Sequence, residues 1–140
     1  MGGHCWRHTG PYQRDLVDAF RQAQEDEWVR DNHGFEGRSV EELWRSPEWQ
    51  EHIFTGGTGS VLDFPLMIEA EDTDDGPFMR PLTDEEVRAW APHGLPTFEE
   101  WSAALDSKRL DFPGRAQGNC IVLYRDGSPA EIGYWGVTAD

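Results

Sequence analysis

Asn119-Cys120-Ile121-Val122-Leu123-Tyr124, then Arg125-Asp126-Gly127-Ser128-Pro129, then Ala130 to Val137 carry the strongest β-structure signal in the chain. Two runs rich in β-branched and aromatic residues flank an Asp-Gly pair, the short-range signal of a β-hairpin. In an extended strand alternate side chains face opposite ways. Cys120, Val122 and Tyr124 therefore share one face, and Ile121 and Leu123 share the other. Both faces are apolar, so both need cover, and the first strand is expected in the interior of a sheet. The second strand carries Ile132, Tyr134 and Trp135, with gaps at Gly133 and Gly136 where another backbone could come close.

Upstream, helix signals dominate. Asp15 to Arg30 places Leu16, Phe20 and Ala23 on one stripe with Val17 and Trp28 beside it, and Asn32-His33-Gly34 supplies a C-terminal stop. Three hydroxyl residues are followed three positions later by Glu: Ser39 by Glu42, Thr83 by Glu86, Thr97 by Glu100. Each pair can form a capping box, in which the hydroxyl takes the N3 amide and the carboxylate takes the amide of the cap. Ser46-Pro47 starts a further helix that stops at Gly56, since proline suits the first helical position. Val61 to Ile68 reads as a strand, at an edge or bent because Pro65 has no amide to donate. Gly3 to Thr9 reads as a short strand or an arm against the sheet, and residues 69–81 and 106–118 read as loops. The expected architecture is a single α+β domain over 1–140. Its small antiparallel sheet is built on the hairpin, about 119–124 and 130–137, plus a strand near 61–68, packed by four or five short helices.

Charge is the most informative bulk property. The 140 residues hold 12 basic and 27 acidic side chains, a net charge of −15. The excess is shared by both halves, with 6 basic and 13 acidic residues in 1–70. Such a field repels nucleic-acid phosphates and anionic lipid and attracts cationic partners. Neither nucleic acid nor membrane is an expected partner. Two cysteines, and no apolar run of membrane-spanning length, fit a chain in the cytoplasm.

Motifs for chemistry are weak. Thr55-Gly56-Gly57-Thr58-Gly59-Ser60 resembles a phosphate cradle in composition, but it follows a helix where such cradles follow a strand, and it holds no lysine. Gly2-Gly3-His4 has the donor order of a square-planar copper site, and His4, Cys5 and His8 lack the second close ligand pair of a zinc site. Read in calcium-loop register, Glu71 to Leu82 places leucine where the last ligand should stand. No cofactor and no metal are expected. Cys120 belongs to a central strand, where a thiol packs as a small hydrophobe.

The remaining feature is seven tryptophans, five of them on short charged helices with narrow apolar faces. Indoles only partly covered, set in an acidic surface, suit a cationic protein surface, because aromatic anchors dominate interface energetics. The sequence therefore predicts a non-catalytic acidic binding protein, such as an immunity or inhibitor protein, that occupies a basic surface on a partner protein. Trp44 and Trp49 would be its anchors and Glu71, Asp72, Asp74 and Asp75 its charges. The alternative is a small enzyme or ligand-binding domain whose site lies near Gly56–Ser60. There His52, with His33 or His93, would exchange protons beside a carboxylate.

Overall fold

Asp126 and Gly127 both have positive φ, 52° and 77°, as a two-residue type I′ turn requires, and they close the predicted hairpin. Its strands, β3 (Gln117–Arg125) and β4 (Ser128–Val137), pair antiparallel from Gly118 opposite Gly136 to Arg125 opposite Ser128, with an irregularity between Leu123 and Tyr124. The computed structural model describes residues 3–35, 37–72 and 77–140. Around the hairpin stand β1 (Cys5–Pro11), α1 (Leu16–Arg30), α2 (Val40–Leu43), α3 (Pro47–Thr55), β2 (Phe78–Pro81), α4 (Asp84–Arg88) and α5 (Phe98–Asp106). The sheet order is β1-β4-β3-β2, which puts β3 in the interior as its two apolar faces demand. None of the described helices is long and apolar enough to cross a membrane.

Each face of the sheet has its own core. Cys120, Ile132 and Tyr134 meet Ala19, Phe20 and Ala23 of α1, together with Val61, Phe64 and Met79. On the opposite face Ile121, Leu123 and Trp135 meet Trp90, Trp101, Ala104 and Leu105 from the α4 and α5 region. A third cluster, Leu43, Trp49, Ile53 and Leu62, ties α2 and α3 together away from the sheet. The gaps in β4 are filled by indoles: a Cβ at Gly133 would lie 3.1 Å from Trp101, and one at Gly136 would lie 2.6 Å from Trp6. At Gly136 a backbone atom is close as well, the Gln117 carbonyl oxygen at 2.8 Å.

Two elements differ from expectation. Val61 to Ile68 is not a strand: Val61–Asp63 forms a 3₁₀ turn that Ser60 caps by accepting from the Leu62 amide at 3.2 Å. Pro65 then interrupts the chain, and only Leu66 to Ile68 reaches the sheet, bonding on either side of Met79 at 3.0 and 2.9 Å. The fourth strand is instead β2, Phe78–Pro81, inside the segment read as a loop. It pairs parallel with β3, so the sheet is mixed. The three residues between Pro77 and Pro81 carry too little alternation to signal a strand, and long-range pairing with β3 decides the matter. The capping boxes at Thr83 and Thr97 are both formed. At Ser39 the hydroxyl donates to the Glu42 carboxylate at 2.8 Å and makes no cap bond to an amide.

His8 is enclosed between Trp6 and Tyr134, with ring centroids 5.4 and 5.7 Å away. Burial holds its imidazole below the ordinary 6.5, with the Thr9 backbone and then Glu27 opposing the shift and Arg30 of α1 adding to it. The unfolded chain takes up this proton near pH 6.5 and the native state resists it. His8 therefore lowers stability as pH falls through about 6.5 and has no such effect above it. Denaturant midpoints measured across that window should drop less in a His8→Phe variant than in wild type. Equal drops would show that the imidazole is not responsible.

Candidate functional site

The seven indoles divide sharply. Trp49, Trp101, Trp135 and Trp90 are no more than 5% exposed, while Trp6, Trp28 and Trp44 are half-buried. Trp49 is a correction to the predicted anchors. It is wholly enclosed in the α2–α3 cluster, edge-on to Phe35 at 5.1 Å and to Trp28 at 6.0 Å, and a partner cannot touch it. Trp49 follows Ser46-Pro47 at the position whose amide the Ser46 hydroxyl accepts, at 3.4 Å, and that cap turns its indole inward.

Trp44 has the opposite fate because α2 ends there. Its carbonyl oxygen accepts from the Gln50 side chain at 2.8 Å, and its indole packs on the outside of the α2–α3 cluster. There it lines a groove of about 370 Å³ between α1 and α2 with Arg21, Glu25, Val40, Glu41 and Pro65. Glu25 and Glu41 are both exposed, one from each helix. An indole face beside two carboxylates suits a guanidinium or ammonium group, which gains from the ring quadrupole and from the charges together. Arg21 on the same groove leaves only part of it attractive to a cation and so adds orientation.

Asp72 lies apart. Glu71 and Asp72 are exposed, and Asp74 and Asp75 fall outside the described residues. Asp72 lines a different cleft, of about 500 Å³, whose walls include Arg80, Glu86, Trp90, Arg109 and Asn119 and which shares no residue with the Trp44 groove. Among the described residues, Asp72 and the surviving anchor Trp44 are therefore not brought into one site. Within that cleft Arg80 grips Glu86 with two bonds of 2.8 and 2.9 Å. The guanidinium draws the Glu86 carboxyl from 4.5 down to about 2. This contribution to stability is complete above pH 4.5 and disappears as pH falls toward 2.

The glycine loop proves to be a cradle for the chain's own anion. The Thr58 amide and hydroxyl donate to Asp63 Oδ1 at 2.7 and 2.6 Å, and the Gly59 amide donates to Oδ2 at 3.3 Å. Asp63 is 3% exposed, and burial pushes its carboxyl above the usual range against the pull of those bonds. The signal was an aspartate five residues beyond Thr58, hidden by reading Asp63 as part of a strand. Asp63→Ala would leave three donors without their acceptor, at a cost of about 2–3 kcal/mol. Urea unfolding would measure it, and an effect under about half a kcal/mol would show that water replaces the carboxylate.

His33 and His52 do converge, with ring centroids 5.5 Å apart against Phe35 and Trp49. Among the described residues the nearest carboxylate contact of His33 is Asp31 at 3.7 Å, beyond hydrogen-bond length, and His93 is elsewhere, bonded to Glu100 at 2.7 Å. Among the described residues no three His, Cys, Asp or Glu side chains stand close enough to hold a metal ion. At the N-terminal segment the Gly3 and His4 amides, which a copper ion would need, donate to the Asp140 carbonyl and to the Thr138 hydroxyl, each at 2.7 Å. Cys120 is fully buried and burial pushes its thiol up to about 12, so it packs as a hydrophobe.

Comparison with protein-family models, with curated proteins and with solved structures gives no match to this chain.

Proposed function

We propose that the chain is a non-catalytic acidic binding protein that occupies a basic surface on a partner protein, in the manner of an immunity or inhibitor protein. The observation that carries this reading is the groove between α1 and α2, where half-buried Trp44 stands with Glu25 and Glu41. The net charge of −15 speeds the encounter and orients it, because a field of one sign raises the local concentration of the opposite sign. A lysine or arginine of the partner then enters the groove, and the indole covers its methylene stem. Asp72, on the wall of another cleft, and the exposed Glu71 contribute at long range.

Affinity capture with wild-type protein and with a Trp44→Ala variant as parallel baits tests the reading. A basic protein retained by wild type at low ionic strength should be released at raised salt and retained poorly by the variant. Since burial of an indole anchor contributes about 2 kcal/mol or more, the affinity should fall at least about thirtyfold. Equal retention by both baits, or retention indifferent to salt, would overturn the groove as the docking site.

A further inference from the structure

The sheet has one edge already covered and one that no other described segment pairs with. On the β2 side, Leu66 to Ile68 bonds to Met79 and occupies that edge. On the other side β1 pairs with β4 from Cys5 opposite Val137 to Pro11 opposite Glu131. The His4 carbonyl accepts from the Thr138 amide at 3.1 Å, which fixes the phase of the ladder. In an antiparallel pair the bonded residues alternate, so Trp6, His8 and Gly10 face β4. The amides and carbonyls of Cys5, Arg7 and Thr9 therefore point away from it, and none makes a backbone bond to another segment of the described chain.

We infer that this edge pairs with β1 of a second copy, in a two-fold dimer whose sheet runs continuously through both chains. The three outward residues are spaced symmetrically about Arg7. A two-fold axis there sets Arg7 opposite Arg7, and Cys5 opposite Thr9 of the other copy. Every outward amide and carbonyl of the three then has a partner. The same register brings half-buried Trp6 opposite His8 of the other copy, twice, as close non-hydrogen-bonded pairs in which aromatic rings meet across strands.

Charge selects this edge and this occupant. Residues 3–14 contain no aspartate or glutamate, in a chain that has 27 of them. A basic strand would find no carboxylate on β1 to pair with. The charge of Arg7 is already met by Asp106 of α5, at 2.6 Å, which removes the like-charge conflict at the axis and the attraction for an acidic strand. Two copies of net charge −15 repel at a distance, but that repulsion is screened beyond about 8 Å at physiological ionic strength. Contact through the acid-free strand brings together the part that repels least.

The inference is independent of the proposed function, and salt separates the two. Dimerisation should strengthen as ionic strength rises, whereas docking of a cation in the Trp44 groove should weaken. Sedimentation velocity should show wild type dimerising in the micromolar to submillimolar range, more so in salt. Thr9→Pro, which removes an outward amide that the β1–β4 ladder does not use, should be monomeric with unchanged circular dichroism. Thr9→Cys should yield a disulfide-linked dimer on mild oxidation, because residues in a bonded antiparallel pair lie about 5.5 Å apart, within disulfide range. The Cys5→Ser/Thr9→Cys double variant should lose that link. A wild-type monomer at every concentration and salt, a dimer that survives Thr9→Pro, or oxidation of Thr9→Cys that forms no disulfide to Cys5 of the other copy would each overturn the inference.

Discussion

Trp49→Ala is expected to lower the unfolding free energy by about 3–5 kcal/mol, the usual cost of emptying an enclosed indole site. Its neighbours Phe35 and Trp28 meet it edge-on, and Leu43, Ile53 and Leu62 close around it, so the cluster has no spare side chain to collapse into the void. Trp44→Ala, five residues earlier, should cost far less stability, because its indole is half outside and closes nothing off. The two variants together separate core from surface: thermal unfolding should report mainly the first, and partner capture mainly the second. If Trp44→Ala destabilised as much as Trp49→Ala, the indole of Trp44 would be a structural prop and the groove would lose its functional meaning.

Gly136→Ala is the second large effect. An added methyl group would meet the Trp6 ring at 2.6 Å and the Gln117 carbonyl oxygen at 2.8 Å. The ring can swing away, but the carbonyl belongs to the backbone of β3 and is fixed by the pairing of Gly118 with Gly136. Overpacking of this kind costs about 1–3 kcal/mol, and the immovable partner places Gly136 at the upper end. A Trp6→Ala/Gly136→Ala double variant should recover only part of the loss. Full recovery would assign the whole strain to the indole. At Gly133 the closest atoms, from Leu123 and Trp101, all belong to side chains, at 3.0 and 3.1 Å. Alanine there should be milder.

The hairpin could be read because its signals are local: an Asp-Gly pair and two flanking runs specify turn and strands without reference to the rest. The boxes at Thr83 and Thr97 could be read for the same reason. Strand β2 could not, because Phe78 to Pro81 is a strand only by virtue of the β3 edge that receives it. Val61 to Ile68 has the apolar content of a strand, but Ser60 and Asp63 bend the backbone through hydrogen bonds that hydrophobicity does not reveal.

The site divides along the same line. Net charge and the count of indoles are sums over the sequence, but whether an indole lies inside or outside depends on where its helix stops. Trp44 and Trp49 look alike in composition and differ only because α2 ends at one while the Ser46 cap orients the other. The convergence of His33 with His52 joins two segments that no local pattern links. Asp72 and Trp44 are likewise separated by long-range packing.

The most direct test of the central claim is a titration of ¹⁵N-labelled protein with a short arginine-containing peptide, at low salt and again near 0.15 M (Debye length about 8 Å), following the indole N–H signals. The Trp44 resonance should move most, Glu25→Gln/Glu41→Gln should weaken the effect, and salt should reduce it. Shifts spread evenly over the acidic surface with the Trp44 signal unmoved would contradict the claim.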